Sequence, residues 1–154
     1  MAKSHSYVIT VDNNRTEKEA FEYVLAADPH FINVTKESRR LVLEALGLDR
    51  KYARAFDLIY SKKHTNKEQT VEFSDVADIT LIELKTTKKN LPNFPKGFFF
   101  GATANEFELA LKLGEKFKFC FVTLHPENKS YTLLTLAELE KLIRTTRVQY
   151  QINL

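Results

Sequence analysis

Cysteine is almost absent from this sequence. Among its 154 residues there is only Cys120, which excludes an internal disulfide and any metal site built from several cysteines. Cys120 lies within the apolar stretch 118–123, which indicates a buried strand residue and not a nucleophile. The four histidines lack ligand spacing, so no histidine is assigned a role.

Long apolar runs are missing as well. No stretch approaches the roughly 20 apolar residues that a membrane span needs, and residues 1–5 lack the apolar core of a signal peptide. The sequence therefore predicts a cytoplasmic protein with no membrane association. Internal repeats and linkers are absent too, and the length suits one domain, so we expect a single domain over residues 1–154.

The net charge of +3 is weak evidence for a nucleic-acid partner, but the basic residues cluster. One cluster lies in residues 39–67 and the other in residues 85–96. A solvated face explains either cluster alone, whereas two clusters that flank one candidate site favour phosphate binding. The candidate nucleic-acid contacts are Arg54, Lys62, Lys63, Thr87, Lys88, Lys89 and Asn105.

Periodicity and capping signals predict a mixed α/β domain, with a central sheet flanked by helices. The predicted helices cover residues 16–27, run from the Thr35 cap to Gly47, run from Thr103 to Gly114, and follow Thr135. The predicted strands cover residues 7–11, 53–60, 78–87, 116–124, 131–134 and 148–152, with 70–73 as a further short strand. Residues 98–101 are either a short strand or a buried connection.

The strand Asp78–Thr87 carries the chemistry around which the chain is organised. Its apolar composition is typical of a strand buried on both faces, yet it contains Glu83 and Lys85. Residues i and i+2 of a strand share a face, so the two charged groups lie side by side. Either this is an edge strand whose charges reach water, or the carboxylate holds a hard divalent cation and the lysine meets a developing charge.

A magnesium ion needs oxygen ligands, usually one or two carboxylates, and with a bound phosphate it supports phosphodiester hydrolysis. Asp57 ranks first as the second carboxylate, because an antiparallel neighbour of Glu83 places opposed side chains roughly 4.5–5.5 Å apart. Asp78 ranks second, since it points to the opposite face of its strand, and Asp75 ranks third.

An aspartate in one strand followed by Glu-x-Lys in the next resembles the PD-(D/E)xK nuclease superfamily, which includes many restriction endonucleases. Here the pattern is Asp57 followed by Glu83-Leu84-Lys85. Residues 82–87, 99–110 and 116–122 are also similar to a nuclease-like domain of restriction-associated proteins that forms the C-terminal domain of the NO VEIN protein. The similarity covers roughly residues 55–124.

The resemblance implies a restriction-endonuclease-like core of helix, three strands, helix and strand (αβββαβ). It implies that Asp57, Glu83 and the carbonyl of Leu84 bind Mg²⁺ and that Lys85 positions or activates the attacking water. Two features depart from the pattern. Phe56 replaces the proline that is expected before the aspartate, and the gap from Asp57 to Glu83 is longer than usual, so the identity of the metal-binding aspartate stays open.

Three further acids have competing interpretations. Glu19 and Glu22 of the first helix are either further metal ligands, a role that acids of that helix sometimes have in this superfamily, or solvated carboxylates, which are more typical of a helix surface. Glu106 either orients the site or serves only as the capping partner of Thr103.

These expectations lead to a Mg²⁺-dependent endonuclease that acts on double-stranded DNA, such as a small type II restriction endonuclease or its cleavage subunit. With one site per chain, cutting both strands calls for a homodimer or a heteromeric partner subunit. One alternative is a repair or recombination nuclease that recognises DNA structure. The other is a catalytically inactive nuclease-like module for DNA binding or assembly.

Overall fold

A computed structural model describes residues 2–68 and 76–154, with side chains from residue 15 onwards. The helices are α1 (Ala2–Ala27), α2 (Lys36–Ala45), α3 (Ala104–Leu113) and α4 (Leu136–Glu140). The strands are β1 (Phe31–Asn33), β2 (Leu58–Ser61), β3 (Ile79–Thr87), β4 (Phe117–Thr123) and β5 (Ser130–Leu134). Short 3-10 turns cover Arg50–Arg54, Val76–Asp78 and Gly114–Lys116.

The five strands form one mixed sheet in the order β1-β2-β3-β4-β5. β3 and β4 are parallel and are connected through α3, whereas every other neighbouring pair is antiparallel. The predicted α/β class with a central mixed sheet is therefore confirmed.

Both faces of the sheet are covered, as the composition of β3 predicted. Leu81 and its same-face neighbours pack with α2, α3, α4 and the 50–54 turn, while Ile82 and Leu84 on the other face pack against Ala20 and Val24 of α1. Alternation along β3 assigns Glu83 and Lys85 to the face of Leu81. The charged pair therefore points toward the α3 side of the sheet.

Three of the four helix-start signals in the sequence are confirmed, whereas the fourth, at Thr16, lies inside α1 and does not begin a helix. Thr35, Thr103 and Thr135 are the N-caps of α2, α3 and α4, and the last two form complete capping boxes. Gly47 follows α2 with a φ of 69°, a backbone angle that glycine adopts without steric cost. Cys120 is fully buried in β4, as predicted, and this burial raises the pKa of its thiol.

Three strand predictions differ from the structure, and one strand was not predicted. Residues 7–11 belong to α1, which begins well before the predicted start at Thr16. Residues 50–54 form a 3-10 turn, because the side chain of Asp49 accepts a hydrogen bond from the amide of Lys51, so β2 begins only at Leu58. Residues 148–152 have no regular structure. The three-residue strand β1 is too short to show a period and was missed.

Residues 98–101 form a connection and not a strand. Phe98 and Phe100 pack edge-on against Phe121, each with ring centroids 5.0 Å apart, whereas Phe99 is 85% exposed. The predicted strand 70–73 and the candidate ligand Asp75 lie outside the described residues. None of the helices in the described part of the chain is both long enough and apolar enough to cross a membrane.

Candidate active site

Glu83 and Lys85 lie side by side on β3, as the alternation of the strand predicted. The Nζ atom of Lys85 is 3.3 Å from Oε1 of Glu83, and the two side chains are only 11% and 8% exposed. An ion pair this deeply buried is costly unless further partners satisfy it. The interpretation of an edge strand whose charges reach water is therefore wrong for this segment, and the remaining partners decide what the pair can do.

Asp57 is held directly opposite Glu83. It lies one residue before β2, and the antiparallel register pairs the next residue, Leu58, with Ile82. The amide of Asp57 donates to the carbonyl of Ile82 at 2.7 Å, and its Oδ2 accepts from the amide of Leu84 at 2.8 Å. These two bonds fix the carboxylate beside the β3 backbone, so the three side chains converge.

Glu106 has both of the roles that the sequence left open. It is the capping partner of Thr103, whose amide donates to Glu106 Oε2 at 3.0 Å. The same oxygen accepts from Lys85 Nζ at 2.9 Å. The capping box therefore also orients the lysine, and the second contact was unpredictable because it depends on where α3 packs on the sheet.

The charges at this site do not balance. Three acids, Asp57, Glu83 and Glu106, share the site with the single ammonium of Lys85, which contacts Glu83 and Glu106. Burial raises the pKa of Glu83 to about 10, and the negative charge of Asp57 adds to this rise while Lys85 opposes it. Oε2 of Glu83 is buried and accepts no hydrogen bond from a donor in the described structure, and the Asp57 carboxylate is close enough to Glu83 to share a proton with it, which also raises the pKa of Glu83. Glu83 therefore takes up a proton unless another positive charge reaches that oxygen.

Glu17 is the acid of α1 that faces the site. Partial burial and then the negative charge of Asp57 raise its pKa, while Lys85 and Arg39 act in the opposite direction. Glu17 is exposed, like Glu19 and Glu22, the two α1 acids considered from the sequence, but it lies close enough to Asp57, Lys85 and Arg39 for their charges to act on it. Glu17 precedes the buried Ala20 by three residues and the buried Val24 by seven, so all three lie on one face of the helix. This spacing is the sequence signal that could have identified Glu17.

Arg39 of α2 is a second residue that the sequence did not place at the site. Its guanidinium donates to the carbonyls of Ala53 at 3.3 Å and Asp57 at 3.5 Å, and it lies 5.8 Å from the ring centre of Phe56. Among the described residues no carboxylate lies within ion-pair distance of it. Half-buried positive charge beside Asp57 suits an anionic ligand.

Asp78 is excluded from the site by its position. It precedes β3 at the end opposite to Lys85, where it accepts hydrogen bonds from the Ser61 hydroxyl and from the amides of Lys62 and Lys63. Burial alone would raise the pKa of Asp78, but these hydrogen bonds outweigh it and lower the pKa. Asp78 therefore fastens the turn after β2.

The candidate nucleic-acid contacts fall at two ends of the sheet. Thr87, at the end of β3, and the exposed Lys88 and Lys89 that follow it lie at the same end as Lys85. Lys62 and Lys63 lie at the other end, beside Asp78. Arg54 is exposed just before the segment that carries Asp57, and Asn105, in the first turn of α3, donates to the carbonyl of Lys51 at 3.3 Å.

The oxygen donors at the site fit a magnesium ion. The described residues contain no group of three or more His, Cys, Asp or Glu side chains placed to hold a metal, but Mg²⁺ is often held by one or two carboxylates. Asp57 and Glu83 provide these, and the buried Oε2 of Glu83 lacks any other partner. The amide of Leu84 faces Asp57, and in a strand the carbonyl of the same residue points the same way.

Comparison of the chain with protein-family models, with curated proteins and with solved structures finds no match.

Proposed function

We propose that this protein is a Mg²⁺-dependent nuclease that hydrolyses phosphodiester bonds in double-stranded DNA, in the manner of a small type II restriction endonuclease. The observation that carries the proposal is the convergence of Asp57, Glu83 and Lys85 at one buried place. A partnerless carboxylate oxygen beside a second carboxylate is a site for a cation, and the adjacent ammonium suits the charge that develops on a phosphate.

The order of elements supports a PD-(D/E)xK-like fold. α1, the antiparallel strands β1 to β3, the crossover helix α3 and the parallel strand β4 follow the αβββαβ order of that superfamily. The helix α2 is inserted between β1 and β2. The gap between Asp57 and Glu83 is long because the chain makes an excursion over residues 62–78 before it returns as β3.

Each residue then has a defined role. Asp57, Glu83 and the carbonyl of Leu84 would hold the cation, and Glu83 would have to be deprotonated to do so. The ion would supply charge neutralisation for the phosphate and a lowered pKa for water. Glu106 holds the Lys85 ammonium in place beside the carboxylates. From there the ammonium orients the attacking water. Arg39 supplies positive charge to the non-bridging phosphate oxygens.

The test is nicking of a supercoiled plasmid in Mg²⁺ and in a chelator. We expect wild type to cut only with Mg²⁺ and the variants Lys85→Ala and Glu83→Gln to lose more than about 100-fold in rate. Lys112→Ala, on the exposed surface of α3, is the matched control and retains full activity. A wild type that cuts no DNA, or a pair of site variants as active as wild type, contradicts the proposal. A preference for branched over linear duplex identifies a structure-specific nuclease.

One observation favours a second function, an inactive nuclease-like module that binds DNA. Lys85 is already bound by two carboxylates, at 2.9 and 3.3 Å, so the network has the form of a closed structural ion cluster. This function predicts that titration calorimetry detects no Mg²⁺ binding that depends on Glu83, while DNA binding is retained. Mg²⁺ binding to wild type that is lost in Glu83→Gln excludes it.

A further inference from the structure

Residues 148–154 carry a strand pattern that the structure leaves unpaired. Val148, Tyr150, Ile152 and Leu154 alternate with Gln or Asn, so an extended chain places all four apolar side chains on one face. β-branched and aromatic residues favour strands. Yet the segment has no regular structure, and its first three apolar side chains are between 78% and 81% exposed. A strand pattern of this kind needs a sheet edge to become stable.

β5 offers such an edge. It is the last strand of the sheet and pairs with β4 on one side, and in the described structure no strand lies on its other side. Natural sheets protect an open edge with charged residues, proline or a bulge. The sequence of β5, Ser-Tyr-Thr-Leu-Leu, contains neither a charge nor a proline.

The opposite edge of the sheet is a poorer template. β1 has only three residues, and the carbonyl of Phe31 already accepts a hydrogen bond from the Asn66 side chain at 3.0 Å. The neighbouring backbone is also hydrogen-bonded, because the backbone N–H of Asn66 donates to the carbonyl of Pro29 at 2.7 Å. The five-residue edge of β5 is therefore the better place for an added strand.

We propose that residues 148–154 of one copy of this chain add as a strand to the β5 edge of a second copy, and that the exchange is reciprocal. Each copy carries both complementary parts, an unpaired segment with a strand pattern and an uncharged open edge. Two copies related by a two-fold axis can therefore pair both segments with both edges. Two such strand additions bury on the order of 1,000 Å² in total, the lower range for a specific interface. This inference does not rest on the nuclease proposal.

The first test measures the mass of the full chain by light scattering over a concentration series. We expect a wild-type dimer, and we expect the double variant Tyr150→Asp with Ile152→Asp to raise the dissociation constant by more than about 100-fold. The control, Gln149→Asp with Gln151→Asp, adds the same charge to the other face of the tail and stays dimeric. Residues 148–154 lie outside the folded core, so we expect every variant to unfold cooperatively and, at a dilution where wild type is also monomeric, to have the wild-type melting temperature.

The second test locates the edge by hydrogen exchange. The β5 amides that point away from β4 are protected in the dimer and exchange at least about 10-fold faster in the Tyr150→Asp, Ile152→Asp variant. The amides of β4 serve as the internal control and do not change. A wild type that is monomeric at all concentrations, a dimer that survives the tail substitutions, or a dimer with unprotected β5 amides each overturns the proposal.

Discussion

At the scale of single residues, Glu83 has the least favourable surroundings for a carboxylate. One of its oxygens contacts Lys85, and the other is buried without a hydrogen-bond partner. Leaving a buried carboxylate oxygen unsatisfied costs about 1–3 kcal/mol or more. A proton or a cation removes that cost, and the two compete for the same oxygen. Glu83 therefore links protonation to folding stability and, under the proposed function, to metal binding.

This linkage predicts how stability changes with pH in a chelator. Burial raises the pKa of Glu83 from its ordinary value of 4.5 to about 10 in the folded protein. Between these pH values the folded state holds more protons than the unfolded state, so the protein becomes less stable as pH rises. Between about pH 5.5 and about pH 8.5 we expect wild type to lose about 1–3 kcal/mol more than Glu83→Gln in urea unfolding. The exposed Glu19→Gln is the control and behaves like wild type. Equal pH slopes for Glu83→Gln and wild type contradict this account.

The two described aspartates that competed for the metal are distinguished by their hydrogen bonds. Asp57→Asn keeps an oxygen for the Leu84 amide but loses a charge, so we expect Mg²⁺ affinity in calorimetry to fall by more than about 10-fold. Asp78→Asn weakens the turn after β2 and costs about 1 kcal/mol in urea unfolding, without any change in Mg²⁺ affinity. Loss of Mg²⁺ affinity in Asp78→Asn but not in Asp57→Asn would contradict this assignment and place the metal site at the other end of β3.

At the scale of elements, the first turn of α3 connects helix capping to the site. The Thr103 hydroxyl accepts from the amide of Glu106, and the Glu106 carboxylate returns to the amide of Thr103 and also binds Lys85. A change in the cap therefore reaches the ammonium through one side chain. The box of Thr135 and Glu138 in α4 has the same local bonds, but in the described structure it makes no contact with the site.

These twin capping boxes give a matched pair of variants. Thr103→Ala and Thr135→Ala each remove one N-cap, so we expect each to cost about 1 kcal/mol in urea unfolding. Only Thr103→Ala loosens Glu106, and we expect it alone to reduce the plasmid nicking rate, by about 10-fold. A similar loss of activity in both variants would attribute the effect to stability and not to the position of Lys85.

Capping signals and alternation were enough to predict most elements, because both depend on neighbours within one turn of helix or one strand. The caps at Thr35, Thr103 and Thr135 and the shared face of Glu83 and Lys85 follow from such local rules. The contact of Glu106 with Lys85 and the approach of Glu17 and Arg39 depend on how distant elements pack. The strand pattern of residues 148–152 is real in the sequence but lacks a partner within the described chain.

At the scale of the whole molecule, the positive charge is divided between two ends of the sheet. Lys88 and Lys89 follow β3 at the end that holds the candidate site, whereas Lys62 and Lys63 lie beside Asp78 at the other end. With a net charge of only +3, the position of the lysines matters more for DNA binding than their number. Under the proposed function, we expect a duplex at the candidate site to contact the first pair and not the second.

The salt dependence of DNA binding tests this arrangement. Each lysine that contacts a phosphate contributes about 0.9 to the slope of log affinity against log salt. In fluorescence anisotropy with a short duplex, in a chelator and between about 50 and 200 mM salt, we expect Lys88→Ala with Lys89→Ala to reduce that slope by about 2. Lys62→Ala with Lys63→Ala removes the same charge from the opposite end and leaves the slope unchanged. Equal reductions would mean that the duplex follows the overall charge of the protein and is not held at the candidate site.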